Sequence, residues 1–310
     1  MPTATTTPLA AATAAVPAAG TAGLRLAELA EANRPAQLPL LTRIAELLAA
    51  SEAVTHLLVR GSLASGTADR LSDVDFVVGV HDRDLPAFTL ALDDLMTVAG
   101  GALLPGWRDA IVADLGGVGF VFLVQHEGKL HQVDLYLAPA SRISAIRQQI
   151  AVKVLLERTP AEITTSQIEQ ARRHLAALGK RPRSCTELLI EHLVLAVLLH
   201  KRIRRGQRFI AYAEWHLLHT ATKDLIKTAL APASRFWGWY QLREELALTP
   251  IGRAGLADLD AAVTSPAVPT ATDVDTALDR VLALTERACP HALDGLTDAI
   301  SAYRTYLELA

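Results

Sequence analysis

The order of apolar and polar residues divides the chain into a first part with predicted strands and a second part with helical patterns alone. Short apolar runs predict buried strands over residues 54–59, 74–80, 110–114, 119–125 and 130–137. Apolar residues at helical intervals predict two helices over residues 24–48, separated at Pro35, and a third over residues 85–98. The first part is therefore predicted to be a mixed or antiparallel sheet of about five strands flanked by helices.

After Pro139 the pattern changes to helical periodicity. Helices are predicted over residues 141–158, 166–178, 184–204, 208–230, 235–248 and 273–288. We therefore expect an α+β protein with a sheet domain over residues 23–140 and an all-helical domain over residues 141–310. Residues 1–22 are rich in Ala, Thr and Pro and lack the basic start of a signal peptide, so we interpret them as a disordered lead.

Composition and charge narrow the classes of protein. The 310 residues carry a formal net charge of −3, whereas proteins that bind long nucleic acids usually have a basic face, so a nucleic-acid partner is disfavoured. No run reaches the roughly 18 apolar residues of a membrane span. Cys185 and Cys289 lack the spacing of a metal site and indicate reduced thiols in a cytoplasmic protein. These features leave the oligomeric state open.

Two aspartates lie at the start of the strand predicted over residues 74–80. Asp73 and Asp75 are separated by one residue, and residues i and i+2 of a strand project from the same face. Two carboxylates at this spacing repel each other unless a cation lies between them. Carboxylate oxygens suit Mg²⁺, which takes further ligands from phosphates. The pair therefore predicts a site for magnesium and a nucleotide.

A third aspartate and a Gly-Ser pair complete the predicted site. Asp134 is embedded in the apolar strand over residues 130–137, as Asp75 is in its own strand. Two Mg²⁺ ions held about 4 Å apart by such acids activate an attacking hydroxyl and stabilise a leaving pyrophosphate. Gly61 lets a phosphate approach the backbone closely, and Ser62 offers it a hydroxyl and an amide N–H.

Further contacts to the nucleotide are expected from polar residues outside this motif. Ser72 directly precedes Asp73, and five cations lie within the nine residues 200–208. Lys201 and Arg205 are the members of that segment that we expect to neutralise phosphate charge. The alternative for the segment is a solvated helix end, where cations are favourable.

Gly61-Ser62, ten intervening residues and Asp73-Val74-Asp75 resemble the signature of the DNA polymerase β-type nucleotidyltransferase superfamily. Asp134 matches the third acid of that family, which lies on a later strand. The resemblance covers residues 50–140 and is greatest to the small nucleotidyltransferases that modify aminoglycoside and lincosamide antibiotics, in which a helical domain follows. It implies transfer of a nucleoside monophosphate, AMP from ATP in particular, to a hydroxyl of a small molecule, with release of pyrophosphate.

The same resemblance implies a role for each residue of the motif. Asp73 and Asp75 would bind both magnesium ions. Asp134 would bind the catalytic ion and polarise the acceptor hydroxyl. Gly61 and Ser62 would hold the β- and γ-phosphates.

Other interpretations stay open at this point. One is an RNA- or protein-modifying nucleotidyltransferase, either toxin-like or acting on tRNA ends, and the negative net charge disfavours a nucleic-acid substrate. Another is a catalytically inactive nucleotide-binding module. A purely structural interpretation gives Asp73 a turn with Ser72 and pairs Asp75 with Arg60 or Arg70.

Overall fold

A mixed six-stranded sheet is the framework of the protein, and the computed structural model describes residues 37–109, 115–160 and 162–309. The strands are β1 (Val54–Val59), β2 (Val74–Val80), β3 (Trp107–Asp109), β4 (Val118–His126), β5 (Lys129–Pro139) and β6 (Lys153–Glu157). Their order across the sheet is β3-β4-β5-β2-β1-β6. All neighbours pair antiparallel except β2 and β5, which run parallel. The expected α+β class with a mixed sheet is confirmed.

The strand count is one higher than predicted. Helical periodicity predicts one helix over residues 141–158, yet that stretch forms the short helix α4 (Ile143–Gln149) followed by β6. β6 pairs with β1 from His56 and Glu157 to Val59 and Lys153. A short apolar run does not distinguish a strand from a helix. Residues 153–157 form a strand because they pair with β1 on the side not occupied by β2. The domain boundary predicted at residue 140 would separate β6 from its sheet.

Three sequence predictions fall outside the described residues: the lead over residues 1–22, the helix before Pro35 and the strand over residues 110–114. The helices that are described are α1 (Leu38–Ala49), α2 (Gly61–Ser65), α3 (Leu85–Asp94), α4, α5 (Thr165–Lys180), α6 (Cys185–Arg204), α7 (Arg208–Leu230), α8 (Leu242–Leu246), α9 (Pro250–Val263), α10 (Ala271–Ala288) and α11 (Thr297–Leu309). The helix predicted over residues 235–248 is instead a 3₁₀ turn, Pro232–Trp237, and the short α8.

Helices cover the two faces of the sheet differently. One face packs against α1 and α3 and forms a closed apolar core. On the opposite face, α4 packs against Val77 at the β1–β2 end, while α6 packs against Val121 at the β3–β4 end. Asp75 and Asp134 lie on the strip of this second face between the two helices, because they alternate with core residues along β2 and β5.

Helix α6 positions the basic segment over this strip. It begins at a capping box in which the Ser184 hydroxyl accepts from the Glu187 backbone N–H and the Glu187 carboxylate accepts from the Ser184 backbone N–H. Its central residues are buried on every side, because the sheet, α7 and α10 surround it. Its last turn carries Lys201, Arg202 and Arg204, where cations complement the helix dipole.

The remaining sequence predictions concern the cysteines and the membrane. Cys185 and Cys289 are free and buried. Burial, with the neighbouring Cys185 thiol as a second cause, raises the pKa of Cys289 to about 12. Among the described residues, every helix is too short or too polar to cross a bilayer.

We expect acid to destabilise the fold through His192 of α6. This fully buried side chain places Nδ1 3.2 Å from the Thr222 hydroxyl. Burial, with the charge of His219 as a second cause, lowers the pKa of His192 from 6.5 to about 3. Its stabilising contribution is therefore complete above about pH 6.5 and is lost as the pH falls towards 3.

Between pH 7 and pH 5 the loss is about 2 kcal/mol in the free energy of unfolding for this one group. Urea unfolding at both pH values should show a smaller pH dependence in His192→Gln than in the unaltered protein. His291→Gln, at an exposed position, is the matched control and should keep the full dependence. An undiminished pH dependence in His192→Gln contradicts this assignment.

Candidate active site

Asp75 and Asp134 lie side by side in the parallel pair of β2 and β5. The strand register aligns Asp75 with Asp134, Phe76 with Leu135 and Val74 with Val133. Register partners in adjacent strands project from the same face, and the strands lie about 4.8 Å apart. Two carboxylates distant in sequence are thus neighbours on the strip of the sheet between α4 and α6.

The pKa values of this pair reflect burial and mutual repulsion. Burial, with the negative charge of Asp75 as a second cause, raises the pKa of Asp134 to about 7, although the Gln132 amide donates to its Oδ1 at 2.8 Å. Burial also raises the pKa of Asp75, despite the opposing charges of Arg60 and Arg202. The positive charge near the pair is therefore too small to keep both carboxylates ionised.

Asp73 comes directly before β2 and contacts the ammonium of Lys201 through its Oδ1. The same ammonium donates to Gln132 Oε1 at 2.8 Å. A continuous polar chain therefore runs from Asp73 through Lys201 and Gln132 to Asp134. Burial, with Arg202 and Arg205 as further causes, lowers the pKa of Lys201 to about 7. Lys201 thus lies inside the acidic cluster.

Gly61 allows the chain after β1 to pass directly against Asp75. Its φ is +67°, and a Cβ at this position would lie 2.6 Å from Asp75 Oδ2. The Arg60 backbone N–H donates to the Asp75 carbonyl at 3.1 Å, and the Arg60 guanidinium lies 3.3 Å from Asp75 Oδ1. A side chain at position 61 would therefore displace the carboxylate.

A cavity of about 530 Å³, here called the acid cavity, opens in front of Asp73 and Asp75. Its lining residues are polar or charged: Ser62, Thr67, Asp69, Ser72, Asp73, Asp75, Arg205 and Gln207. Ser62 of the Gly-Ser pair and both acids of the Asp-x-Asp pair therefore border one space.

Ser72 and Arg205 border the acid cavity but make contacts within the protein. The Ser72 hydroxyl donates to Asp69 Oδ1 at 2.9 Å and accepts from the Asp69 backbone N–H at 2.9 Å. The Arg205 guanidinium contacts the same Asp69 carboxylate and lies 3.4 Å from the Ser72 hydroxyl. The turn partner of Ser72 is therefore Asp69, whereas the structural interpretation expected Asp73. The pairing of Asp75 with Arg60 does occur as that interpretation expected.

The acids of the site supply part of the oxygen ligands that the expected magnesium ions need. In the described part of the chain, no group of three or more His, Cys, Asp or Glu side chains is arranged to hold a metal ion. The pair of Asp75 and Asp134 nevertheless fits a divalent cation, because hard oxygen donors adjoin and the pair lacks positive charge. Asp73 completes a set of three acids only when a metal ion replaces Lys201 as its partner.

Gln132 is a site residue whose role the sequence prediction did not include. Gln132 lies two residues before Asp134, on the same face of β5, and its amide links Asp134 to Lys201. That i, i+2 spacing was the available sequence signal. The contact of Gln132 with Lys201, 69 residues away, had no local signal.

Comparisons with models of known protein families and with curated proteins find no match to this chain. The functional conclusions therefore rest on the residues and contacts described above.

Gly61→Ala should destabilise the protein more than Gly295→Ala. Both glycines have positive φ, +67° and +73°, so both substitutions carry a backbone cost of about 1–2 kcal/mol. Only at position 61 does the new Cβ meet a carboxylate, because nothing lies within 4 Å at position 295. The expected additional loss is about 1–3 kcal/mol in urea unfolding. Equal losses for the two variants would show that Asp75 moves aside freely.

Proposed function

We propose that this chain is a Mg²⁺-dependent nucleotidyltransferase of the DNA polymerase β type, which transfers a nucleoside monophosphate, AMP from ATP in the simplest case, to a hydroxyl of a small molecule. The observation that carries the proposal is the register of β2 and β5, which places Asp75 beside Asp134. Arg60 gives Asp75 a partner, but Asp134 has no ion pair with any described cation. A nucleotide with its bound cation would supply the missing charge.

In this proposal the nucleotide and the acceptor bind on different sides of the three acids. Gly61 and Ser62 bind the β- and γ-phosphates in the acid cavity, and Lys201 and Arg205 neutralise part of their charge. The acceptor approaches from the side of Asp134. Positioning and charge neutralisation supply most of the rate enhancement, as in other phosphoryl transfers.

The transfer replaces one bond at the α-phosphorus of the nucleotide with another. The acceptor oxygen bonds to the α-phosphorus, the bond from that phosphorus to the oxygen bridging to the β-phosphorus breaks, and pyrophosphate leaves. The hydroxyl proton passes to the Asp134 carboxylate, which in this proposal lies beside the acceptor and acts as the proton acceptor. No other base is needed for this balance.

Asp75 and Asp134, joined by Asp73 when Lys201 releases it, would hold the two magnesium ions. Bound Mg²⁺ supplies neutralisation of the phosphates and of the leaving pyrophosphate. Lys201 would then be free to contact phosphate oxygens, because its ammonium loses Asp73 as a partner.

The proposal is tested by incubating the protein with Mg²⁺, each of the four NTPs in turn and a panel of acceptors, and measuring pyrophosphate release. The panel contains aminoglycosides, lincosamides, sugars, sugar phosphates and a short RNA. Asp75→Asn should lower the transfer rate at least about 10²-fold, since it removes a carboxylate that would hold the Mg²⁺ accompanying the reacting phosphates. Asp94→Asn, at an exposed acid of α3, is the matched control and should retain full activity.

Calorimetric titration with ATP and Mg²⁺ separates the competing interpretations. Full transfer activity in Asp75→Asn would overturn the assignment of the acids. Mg²⁺-dependent ATP binding without transfer to any acceptor would favour a non-catalytic nucleotide-binding module. Labelling of the RNA alone would favour an RNA-modifying enzyme.

A further inference from the structure

A second cavity, here called the basic cavity, is lined by Lys201 and shares Ser72 with the acid cavity. Its volume is about 310 Å³, and it is enclosed by the turn before β2, the β4–β5 hairpin, the end of α6 and α11. None of the described residues that line it is Asp or Glu. Its basic lining residues are Arg70, Lys129, His131, His200, Lys201 and Arg204.

Three of these cations lack a partner within the described structure. Arg70, Lys129 and Arg204 form no ion pair with any acid that the structure describes, whereas Lys201 contacts Asp73 and His200 contacts Asp275. Cations brought to one concave surface repel each other unless an anion lies between them. Arg and Lys side chains together bind phosphate through charge-assisted hydrogen bonds.

The basic cavity is linked to the acids through Gln132, which contacts Asp134, and Lys201, which contacts Asp73. Gln132 and Lys201 both line it, and the Gln132 amide donates to Asp134 at 2.8 Å. Ser62 and Asp75 line the acid cavity and do not line the basic cavity. A molecule in the basic cavity therefore lies against Gln132 and Lys201, the two side chains that contact Asp134 and Asp73, and not against Ser62 of the Gly-Ser motif.

We infer that the basic cavity binds the acceptor, and that the acceptor is a small hydroxyl compound carrying a phosphate group. This inference rests on the proposed nucleotidyltransferase function. A volume of about 310 Å³ suits a small molecule rather than a folded nucleic acid. The phosphate serves only as a binding group and is unchanged, while the free hydroxyl accepts the nucleotide. A polycationic aminoglycoside does not complement this lining.

A third cavity does not fit the acceptor as well. It has a volume of about 620 Å³ and lies beyond Tyr136 on the same strand. Two of its three acids, Glu191 and Asp224, form ion pairs with Arg183, and the third, Asp109, also has a partner within the protein. Because these charges are satisfied within the protein, they leave less binding capacity for a charged substrate.

The first test measures phosphate binding without nucleotide. Binding of inorganic phosphate to the full chain is followed by broadening of its ³¹P resonance. Lys129→Ala/Arg204→Ala should weaken this binding about 10-fold or more, since two charge-assisted contacts are lost. Asp75→Asn should leave it intact, because that residue lies outside the basic cavity. Lys180→Ala/Arg243→Ala removes the same two charges from exposed positions and is the matched control.

The second test measures transfer to paired acceptors: ribose and ribose 5-phosphate, glucose and glucose 6-phosphate, glycerol and glycerol 3-phosphate. We expect the phosphorylated member of a pair to be used, with KM raised about 10-fold or more in Lys129→Ala/Arg204→Ala. The affinity for ATP with Mg²⁺ should stay within about twofold, because the nucleotide occupies the acid cavity.

The outcomes separate this inference from the proposed function. Preference for neutral or cationic acceptors, or phosphate binding that depends on Asp75 rather than on Lys129 and Arg204, would overturn the inference and leave the nucleotidyltransferase assignment standing. Binding of a short RNA that is lost in Lys129→Ala/Arg204→Ala, with no binding of inorganic phosphate, would overturn it in favour of a nucleic-acid acceptor. If the unaltered protein does not bind ATP or any other NTP in the presence of Mg²⁺, the proposed nucleotidyltransferase function is overturned.

Discussion

The parallel pairing of β2 with β5 is the constraint on which the site depends. It places Asp75 and Asp134 at one level of the sheet, where burial and mutual repulsion oppose their ionisation. The surrounding structure reduces this repulsion in part. Arg60 pairs with Asp75, Gln132 donates to Asp134, and Gly61 leaves room for the Asp75 carboxylate. The fold therefore maintains an acidic pair that packing alone would not favour.

Lys201 connects this pair to the helical part of the chain. It lies in the last turn of α6, whose buried middle packs on β3 and β4, and its ammonium reaches Asp73 and Gln132. One cation thus compensates part of the acidic charge and also ties the helix end to the sheet. Burial lowers its pKa, so this cation is held at some cost. A bound cation would compete with it for Asp73.

Two cavities of different character lie beside this cluster, and Lys201 lines one of them while contacting Asp73 of the other. The acid cavity is lined by Ser62 and the Asp-x-Asp pair, and the basic cavity carries unpaired cations beside Gln132. Such a division suits a reaction between two charged molecules, one accompanied by cations and the other carrying its own anion. Because of this division, the net charge of −3 for the whole chain does not describe the charge of either cavity.

The sequence by itself determined β1 and β2 to the residue and the helix over residues 208–230, because periodicity is a local property. Its pattern mistook β6 for a helix, since a strand at the edge of a sheet depends on a distant partner. Only the tertiary structure decided that Asp134 adjoins Asp75, that Lys201 occupies Asp73 and that cations line the second cavity. These contacts join segments 59 to 128 residues apart, and no local pattern encodes their register or their distance.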